Sequence, residues 1–163
     1  MSTTPAKTYP NVIIETDRGS FTVELWDDVA PNHAANFLKL TDSGFYNGTT
    51  FHRIIPNFVI QGGCPTGDGT GGPGWKVKAE FNDRKHEKGV LSMARSSHPD
   101  SAGSQFFVCL GRDHCQHLDG QYTAFGKVTS GLEVVDSIAS APLADRNQGR
   151  PAKPPKMLSV KRA

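Results

Sequence analysis

Cysteine is scarce in this sequence, and the few cysteines present predict free thiols and no disulfide framework. The chain of 163 residues contains three of them, Cys64, Cys109 and Cys115. An odd and sparse count, without a secretion signal, is typical of a protein from a reducing compartment. The first ten residues contain no apolar stretch and therefore do not have the pattern of a signal peptide. We expect the protein to be cytoplasmic.

The sequence also lacks long hydrophobic runs and a strong excess of either charge. No segment is apolar over a length that could cross a bilayer. Lysine and arginine number 18 and aspartate and glutamate 16, so the formal net charge is +2. No basic cluster stands out, which argues against nucleic acid or a membrane surface as a partner. The length predicts one domain with a sizeable hydrophobic core.

Short apolar runs separated by turn residues predict a mainly β protein. The 17 glycines and 11 prolines are scattered among these runs. Phe21, Val23 and Leu25 alternate with Thr22 and Glu24, as in a half-buried strand. We predict a flexible tail at 1–10, one domain at 11–163 and a long polar loop at 142–155. The predicted strands are 12–16, 21–26, 51–55, 58–61, 90–94, 105–110, 123–128 and 156–161.

Two segments have the 3.6-residue periodicity of amphipathic helices. Pro31 suits the first turn of the earlier helix, and Gly44 suits its end. Ser130 and Glu133 have the spacing of a capping box before the later helix. The predicted inner faces are Ala30, Ala34, Phe37, Leu38 and Thr41 in the first helix, and Leu132, Val135, Ile138 and Ala139 in the second.

The most informative stretch runs from 51 to 63, because it places a cation within an apolar strand. Arg53 lies in one apolar run, and Gln61 follows in the next. In an extended segment Arg53 shares a face with Phe51 and Ile55. A buried guanidinium is costly unless it is paired or faces a cleft. The pattern therefore predicts a functional site at Arg53.

A second polar residue, Gln105, leads directly into an aromatic strand within the run Gly-Ser-Gln-Phe-Phe at 103–107. These two stretches, followed by Leu-Asp-Gly at 118–120 and Phe-Gly-Lys-Val at 125–128, resemble the cyclophilins, which are peptidyl-prolyl cis-trans isomerases. The resemblance extends from Val12 to Val160. It implies a closed eight-stranded antiparallel β-barrel with a helix over each opening.

The same resemblance implies an enzyme that accelerates the isomerisation of Xaa-Pro bonds in unfolded or flexible proteins and so assists folding. Amide resonance gives this bond a barrier of roughly 18–20 kcal/mol. In the twisted state the nitrogen gains a lone pair, which a fixed cation stabilises more than the planar ground state. By resemblance this cation is Arg53. We expect a monomer that needs no cofactor and no metal.

Further site residues are assigned by the resemblance alone. His117 replaces a tryptophan and Tyr122 a histidine of many relatives, so we expect altered peptide preference and weak binding of cyclosporin-type macrocycles. Arg95 replaces the commoner asparagine, and we expect its main chain to contact the substrate. The substrate-binding residues so assigned are Phe58, Val59, Gln61, Met93, Ala94, Arg95, Gln105, Phe107, His117, Leu118 and Tyr122.

Two alternative functions remain open on the sequence. One is a scaffold or holdase that binds proline peptides with negligible turnover, although binding alone does not require Arg53. The other is a metal or redox sensor built on His114, Cys115 and His117, whose spacing matches no standard site. The glycine-rich run at 67–74 lacks the Gly-Lys-Ser/Thr ending of a phosphate loop, so we interpret it as a surface loop beside the groove.

Overall fold

The computed structural model describes residues 8–163, so most of the predicted tail at 1–10 lies outside the described residues. Each predicted strand is present, with its ends moved by a few residues. The predicted polar loop at 142–155 is wrong in part, because it contains a small hairpin, β8–β9. The strands are β1 Asn11–Thr16, β2 Gly19–Leu25, β3 Arg53–Ile55, β4 Val59–Gly62, β5 Val90–Met93, β6 Phe106–Cys109, β7 Ala124–Ser130, β8 Leu143–Asp145, β9 Arg150–Pro151 and β10 Met157–Arg162.

Eight of these strands form one curled antiparallel sheet, a half-barrel with the order β10-β1-β2-β7-β5-β6-β4-β3. Its end strands β10 and β3 share no ladder among the described residues. They are connected through Thr50, which forms single bridges to Lys156 and Cys64. The neighbouring Phe51 N–H donates to the carbonyl of Pro155 at 2.9 Å. The predicted eight strands are therefore present, while the two edges meet only at isolated bridges.

The inner face of the sheet is apolar and is covered by helix α1, Pro31–Asp42. Phe37 from this helix lies 5.0 Å from Tyr46 and 5.4 Å from Phe106, measured between ring centroids. Tyr46 donates its hydroxyl to the carbonyl of Ser104 at 2.8 Å, and burial raises the pKa of this phenol. The predicted helix and its face are confirmed, except that Leu38 is only half-buried and Leu40 is buried instead.

Helix α1 begins at Pro31 as predicted, whereas α2, Leu132–Ala139, begins without the predicted capping box. The N-cap residue of α1, Ala30, makes no side-chain hydrogen bond to the helix. The carboxylate of Glu80 takes this role and accepts hydrogen bonds from the N–H groups of Asn32 at 3.2 Å and His33 at 2.8 Å. Helix α2 has Gly131 as its N-cap and no capping side chain, so the predicted capping box is wrong. At Gly131 the φ is +91°, and a Cβ would lie 2.7 Å from that of Phe21, so the chain turns too tightly for a capping side chain.

The described helices are short relative to a bilayer. Neither α1 nor α2, within residues 8–163, is long and apolar enough to span a membrane.

Candidate active site

The cation of the site lies on the outer face of the sheet. Arg53 in β3 is the register partner of Gln61 in β4, and Arg53 Nη1 donates to Gln61 Oε1 at 3.4 Å. Arg53 is exposed, whereas its neighbour Ile54 is fully buried. The prediction that Arg53 shares the core face with Phe51 is therefore wrong. The strand starts only at Arg53, so the alternation does not extend back to Phe51. The guanidinium has no carboxylate partner within residues 8–163.

Two side-chain amides, linked by hydrogen bonds, connect Arg53 to the glycine-rich loop. Gln61 Nε2 donates to Gln105 Oε1 at 3.2 Å. Gln105 Nε2 in turn donates to the carbonyls of Gly69 at 2.9 Å and Gly71 at 3.0 Å. The orientation of each amide is thus fixed by the group to which it donates its hydrogen bond. The predicted loop at 67–74 borders the groove, and its backbone orients Gln105.

This loop is wound around the sulfur of Cys64. The N–H groups of Gly69 and Gly71 each lie 3.3 Å from Cys64 Sγ, and Thr66 Oγ1 lies at 3.2 Å. Burial raises the pKa of the Cys64 thiol, but the hydrogen bonds from Thr66, Gly71 and Gly69 outweigh it and lower the pKa to about 7. These bonds order the loop that holds Gln105.

An apolar cluster lies beside the cation on the same outer face. Gln61 is the register partner of Phe107 as well as of Arg53, so all three side chains lie on one side of the sheet. Phe107 is 4% exposed. The outer cluster consists of Val59, Phe107, Cys109, Cys115 and Leu118, with Ile55, Phe58, Ala94 and Tyr122 partly buried against it. Val59, Leu118, Phe58 and Ala94 are therefore brought together with Phe107 as predicted.

Met93 does not join this cluster. It is 2% exposed and packs in the main core, where it is the register partner of Phe106. Phe106 points inward and Phe107 outward, because neighbouring residues in a strand face opposite sides. Ser92, the partner of Phe107, occupies the outward position of β5. The prediction that Met93 forms a wall of the pocket is wrong for this reason.

The residues that depart from the family pattern gather at one rim of the outer cluster. The exposed His117 ring lies 5.8 Å from the ring of Phe58. Tyr122 meets Phe107 edge-on at 5.7 Å and 81°. The guanidinium of Arg95 lies over Tyr122, 4.6 Å from its centroid. These three side chains together form one rim of the outer cluster.

A Ser-His-Asp arrangement that the sequence analysis did not find lies directly beneath Phe107. His86 Nε2 lies 2.8 Å from Ser92 Oγ, and His86 Nδ1 lies 3.1 Å from Asp119 Oδ1. The ring of His86 stacks on Phe107 at 6.3 Å and 21°. Ser92 is fully buried, so its hydroxyl cannot reach a substrate. The arrangement supports the floor of the cluster, and only Asp119, within the Leu-Asp-Gly motif, gave a signal in the sequence.

Arg112 secures this arrangement from the loop above. Its Nη2 donates to Asp119 Oδ2 at 2.7 Å and its Nη1 to Asp119 Oδ1 at 3.0 Å. The hydrogen bond from Arg112 is the largest cause that holds the pKa of Asp119 far below its usual range. The pair fixes the segment that carries His117 and Leu118.

Buried histidines predict a loss of stability in mild acid. Burial is the largest cause that lowers the pKa of His33, His52 and His86. The unfolded chain therefore binds more protons than the native state once the pH falls below about 6.5, so the free energy of unfolding decreases as the pH falls from 7 towards 5. Denaturant titrations at several pH values measure this slope.

The variant His86→Gln is expected to reduce that slope, while His98→Gln, at an exposed position, is the matched control that should retain it. An unchanged free energy of unfolding between pH 7 and 5 in the parent chain would contradict the lowered pKa of the buried His33 and His86 and the half-buried His52.

Of the ligand types between 109 and 117 only the thiols of Cys109 and Cys115 meet, in a buried side-chain hydrogen bond within the outer cluster. Cys115 is fully buried, and its Sγ lies 3.4 Å from the carbonyl of Phe58, whereas His114 and His117 are exposed. Within residues 8–163 no group of three or more His, Cys, Asp or Glu side chains is placed to hold a metal ion. This geometry gives no support to the metal form of the sensor alternative, and the redox form stays a prediction.

Known proteins are similar to this chain in sequence and in fold. Residues 11–162 match the family model described as cyclophilin type peptidyl-prolyl cis-trans isomerase/CLD. A peptidyl-prolyl cis-trans isomerase of Synechococcus elongatus is 49% identical over 128 residues, covering 77% of this chain and 86% of that protein. The isomerase CYP18-2 of Arabidopsis thaliana is 41% identical over 166 residues, covering 99% of this chain and 98% of that protein.

Solved structures are similar to this chain in fold. A cyclophilin type peptidyl-prolyl cis-trans isomerase of Cryptosporidium parvum superimposes with a TM-score of 0.89 and 32% identity, covering 96% of this chain and 98% of the other. The same protein in the presence of the dipeptide Ala-Pro gives a TM-score of 0.88 and 34% identity, covering 94% of this chain and 98% of the other.

Proposed function

Since the chain belongs to the cyclophilin-type peptidyl-prolyl cis-trans isomerase family and is such an isomerase, we propose that Arg53 is the residue that lowers its barrier. The observation that carries the proposal is the position of a guanidinium on the same face as Gln61 and Phe107, with no carboxylate partner among residues 8–163. Gln61 orients this cation, and Gln105 orients Gln61. A preoriented donor needs no rearrangement when the amide twists.

The outer cluster supplies the slot for proline. The half-buried Phe58 and the small exposed edges of Phe107, Val59 and Leu118 would line this slot, where burial of apolar area is worth roughly 25 cal/mol per Å². With the ring held there, the amide nitrogen faces the side of Arg53. As the C–N bond twists, the nitrogen lone pair accepts a hydrogen bond from the guanidinium. This bond lowers the free energy of the twisted state, in which the amide resonance is lost.

The substrates that suit this site are proline-containing segments of unfolded or flexible proteins, so the protein assists folding. The groove lies on the open outer face of the sheet, where an extended chain can enter. Ala94, Gln105 and the main chain of Arg95 border it and hold the flanking peptide. The Ala-Pro dipeptide named with the Cryptosporidium parvum structure is consistent with this substrate class.

Isomer exchange of a short Xaa-Pro peptide tests the function. Uncatalysed exchange takes tens to hundreds of seconds, so catalytic amounts of protein should shorten it clearly. Peptide binding measured in parallel separates the two candidate functions. Binding without acceleration would support the scaffold or holdase in place of the enzyme.

Four finer properties complete the proposal. We take the unit at 11–163 to be a cytoplasmic monomer whose half-barrel is completed as a closed barrel through Thr50. The bridges of Thr50 to Lys156 and Cys64 support closure. All three cysteines are free and buried, which suits a reducing compartment. Large exposed apolar side chains are scattered at Trp75, Phe81, Leu132 and Leu158, as on a monomer surface.

We expect cyclosporin-type macrocycles to bind weakly, and His117→Trp to tighten their binding roughly 10–100-fold. His117 lies at the rim beside Phe58, where an indole would add apolar area and an N–H donor. One hydrogen bond is worth about 0.5–1.5 kcal/mol, and the larger ring adds burial. The measurement is an inhibitor titration of both proteins, with turnover of a small peptide as the control. Unchanged inhibitor affinity would show that residue 117 does not contact the ligand.

A further inference from the structure

Strand β3, which carries Arg53, receives little support from the sheet itself. It is three residues long and stands last in the sheet order, so within residues 8–163 only β4 forms a ladder with it. The guanidinium of Arg53 makes one hydrogen bond among the same residues, to Gln61 at 3.4 Å, which is long for an N–H donor. A short end strand and one long hydrogen bond do not hold a cation firmly, so its position depends on contacts from outside the sheet.

The hairpin β8–β9 provides such a contact on the edge of β3 that β4 does not cover. The N–H of Ile54 donates to the carbonyl of Gly149, the residue just before β9, at 2.7 Å. An end strand presents unpaired N–H and C=O groups along its free edge, and this bond occupies one of them. Gly149 and Pro151 are buried, although the residues around them are mostly exposed. The hairpin therefore packs against β3 and holds it from the side opposite to β4.

Gly149 occupies a position where any side chain would displace its neighbours. Its φ is +69°, in the left-handed region that favours glycine. A Cβ built on it would lie 2.8 Å from the carbonyl oxygen of Ile54, 3.1 Å from Ile55 Cδ1 and 3.3 Å from Arg53 Cγ. Arg53 and Ile55 leave the same face of β3, so the backbone of Gly149 lies close to the base of both side chains. The aliphatic stem of Arg53 thus has the hairpin on one side and Gln61 on the other.

The hairpin has its own internal hydrogen bonds. Asp145 Oδ1 accepts the N–H groups of Asn147 at 3.0 Å and Gln148 at 3.2 Å, so the aspartate side chain shapes the turn that leads to Gly149. At the open end the N–H of Ala152 donates to the carbonyl of Pro142 at 2.9 Å. These bonds fix the place at which Gly149 meets β3.

We propose that the hairpin β8–β9 positions the catalytic cation, and that Gly149 is the positioning residue through which the hairpin acts on Arg53. The inference rests on the role of Arg53 proposed above. A catalytic group that is misplaced by about 1 Å loses up to about 10²-fold in rate. The close approach of Gly149 to β3 sets the position of the Arg53 stem, and Gln61 sets the direction of its guanidinium.

The variant Gly149→Ala should lower kcat about tenfold, because its Cβ forces β3 and the hairpin apart. KM should change little, since Phe107 and Val59 of the proline slot belong to other strands. Isomer exchange of an Xaa-Pro peptide followed by NMR gives both constants. Gly44→Ala is the matched control. Its φ of +74° carries a similar backbone cost, but its Cβ would meet only Asn47 Nδ2, at 3.6 Å, so kcat should be unchanged even where stability falls.

A double-mutant cycle with Arg53→Ala distinguishes positioning from a general structural effect. In the Arg53→Ala background, Gly149→Ala should cause no further loss of kcat/KM, because the group that it displaces is absent. An equal loss in both backgrounds would show that the hairpin does not act through Arg53, and the inference is wrong. Wild-type kcat in a folded Gly149→Ala protein also overturns it.

A second pair of variants decides the matter if Gly149→Ala does not fold. Asp145→Ala removes the acceptor that shapes the turn and should lower kcat about threefold, since the displacement is smaller. Asp145→Asn keeps a side-chain oxygen in that place and should restore kcat. Both variants remove the same charge, so their difference reports the turn alone, and equal kcat in the two contradicts the inference. If Arg53→Ala itself retains normal turnover, the proposed catalytic role fails and the inference fails with it.

Discussion

Replacing Arg53 by alanine should lower kcat/KM by about 10²–10³-fold, the scale of removing one preoriented electrostatic donor. The loss is expected in kcat more than in KM, because the guanidinium acts mainly on the twisted amide. The side chain is exposed, and within residues 8–163 its guanidinium makes one hydrogen bond, the 3.4 Å contact with Gln61. The variant should therefore keep the thermal stability of the parent chain. Isomer exchange of an Xaa-Pro peptide, with a thermal melt beside it, measures both quantities.

Two controls sharpen this experiment. Arg53→Lys keeps the charge but not the planar group that reaches Gln61, and it should recover only part of the activity. Lys161→Ala removes an exposed cation of β10 whose register partner is Ile13 in β1, outside the candidate site, and should leave turnover unchanged. Near-normal turnover in a folded Arg53→Ala protein would show that the cation is not the source of catalysis.

Replacing Phe107 by alanine should weaken peptide binding and turnover together, by about 10–100-fold. An aromatic wall contributes burial equally to the ground state and the twisted state, with a free-energy contribution of about 1.5–3 kcal/mol for a buried side chain. Phe107 is also packed against His86 and Tyr122, so the same change should lower the free energy of unfolding by about 3–5 kcal/mol. Peptide titration, isomer exchange and denaturant unfolding are measured on one preparation.

A milder variant separates the contribution of Phe107 to binding from its contribution to packing. Phe107→Leu keeps most of the volume and should cost less than about 2 kcal/mol of stability. It should still bind peptide more weakly, because the flat ring that faces the slot is gone. If stability falls in both variants while peptide affinity is unchanged, Phe107 belongs to the core and forms no wall of the pocket.

Much of the fold could be predicted because the relevant signals are local. Period-two alternation identified β2, and the 3.6-residue period identified α1 and α2. The hairpin β8–β9 could not be predicted in the same way. Its strands β8 and β9 are only three and two residues long and half-polar. The N–H of Ile54 in β3 donates to the carbonyl of Gly149, just before β9, at 2.7 Å. No periodic pattern of residues in the sequence predicts such a contact.

By itself, the sequence determined the family and the succession of strands and helices outside the β8–β9 hairpin. It also predicted Arg53, Gln61, Gln105 and Phe107 as site residues, because each lies within a continuous motif. Only the tertiary structure decided which way these side chains point. The face of a side chain depends on where its strand begins and on the register with its partners. That is why Arg53 lies outside, against the expectation, and why Met93 lies in the core.

Tertiary structure also decided which residues distant in the sequence come together. His86, Ser92 and Asp119 come from three separate segments, and they meet only because the curled sheet brings those segments beneath Phe107. Arg95 and Lys76 likewise line one groove although they lie 19 positions apart in the chain. Long-range contacts of this kind are set by sheet curvature and packing, which no local pattern of residues encodes.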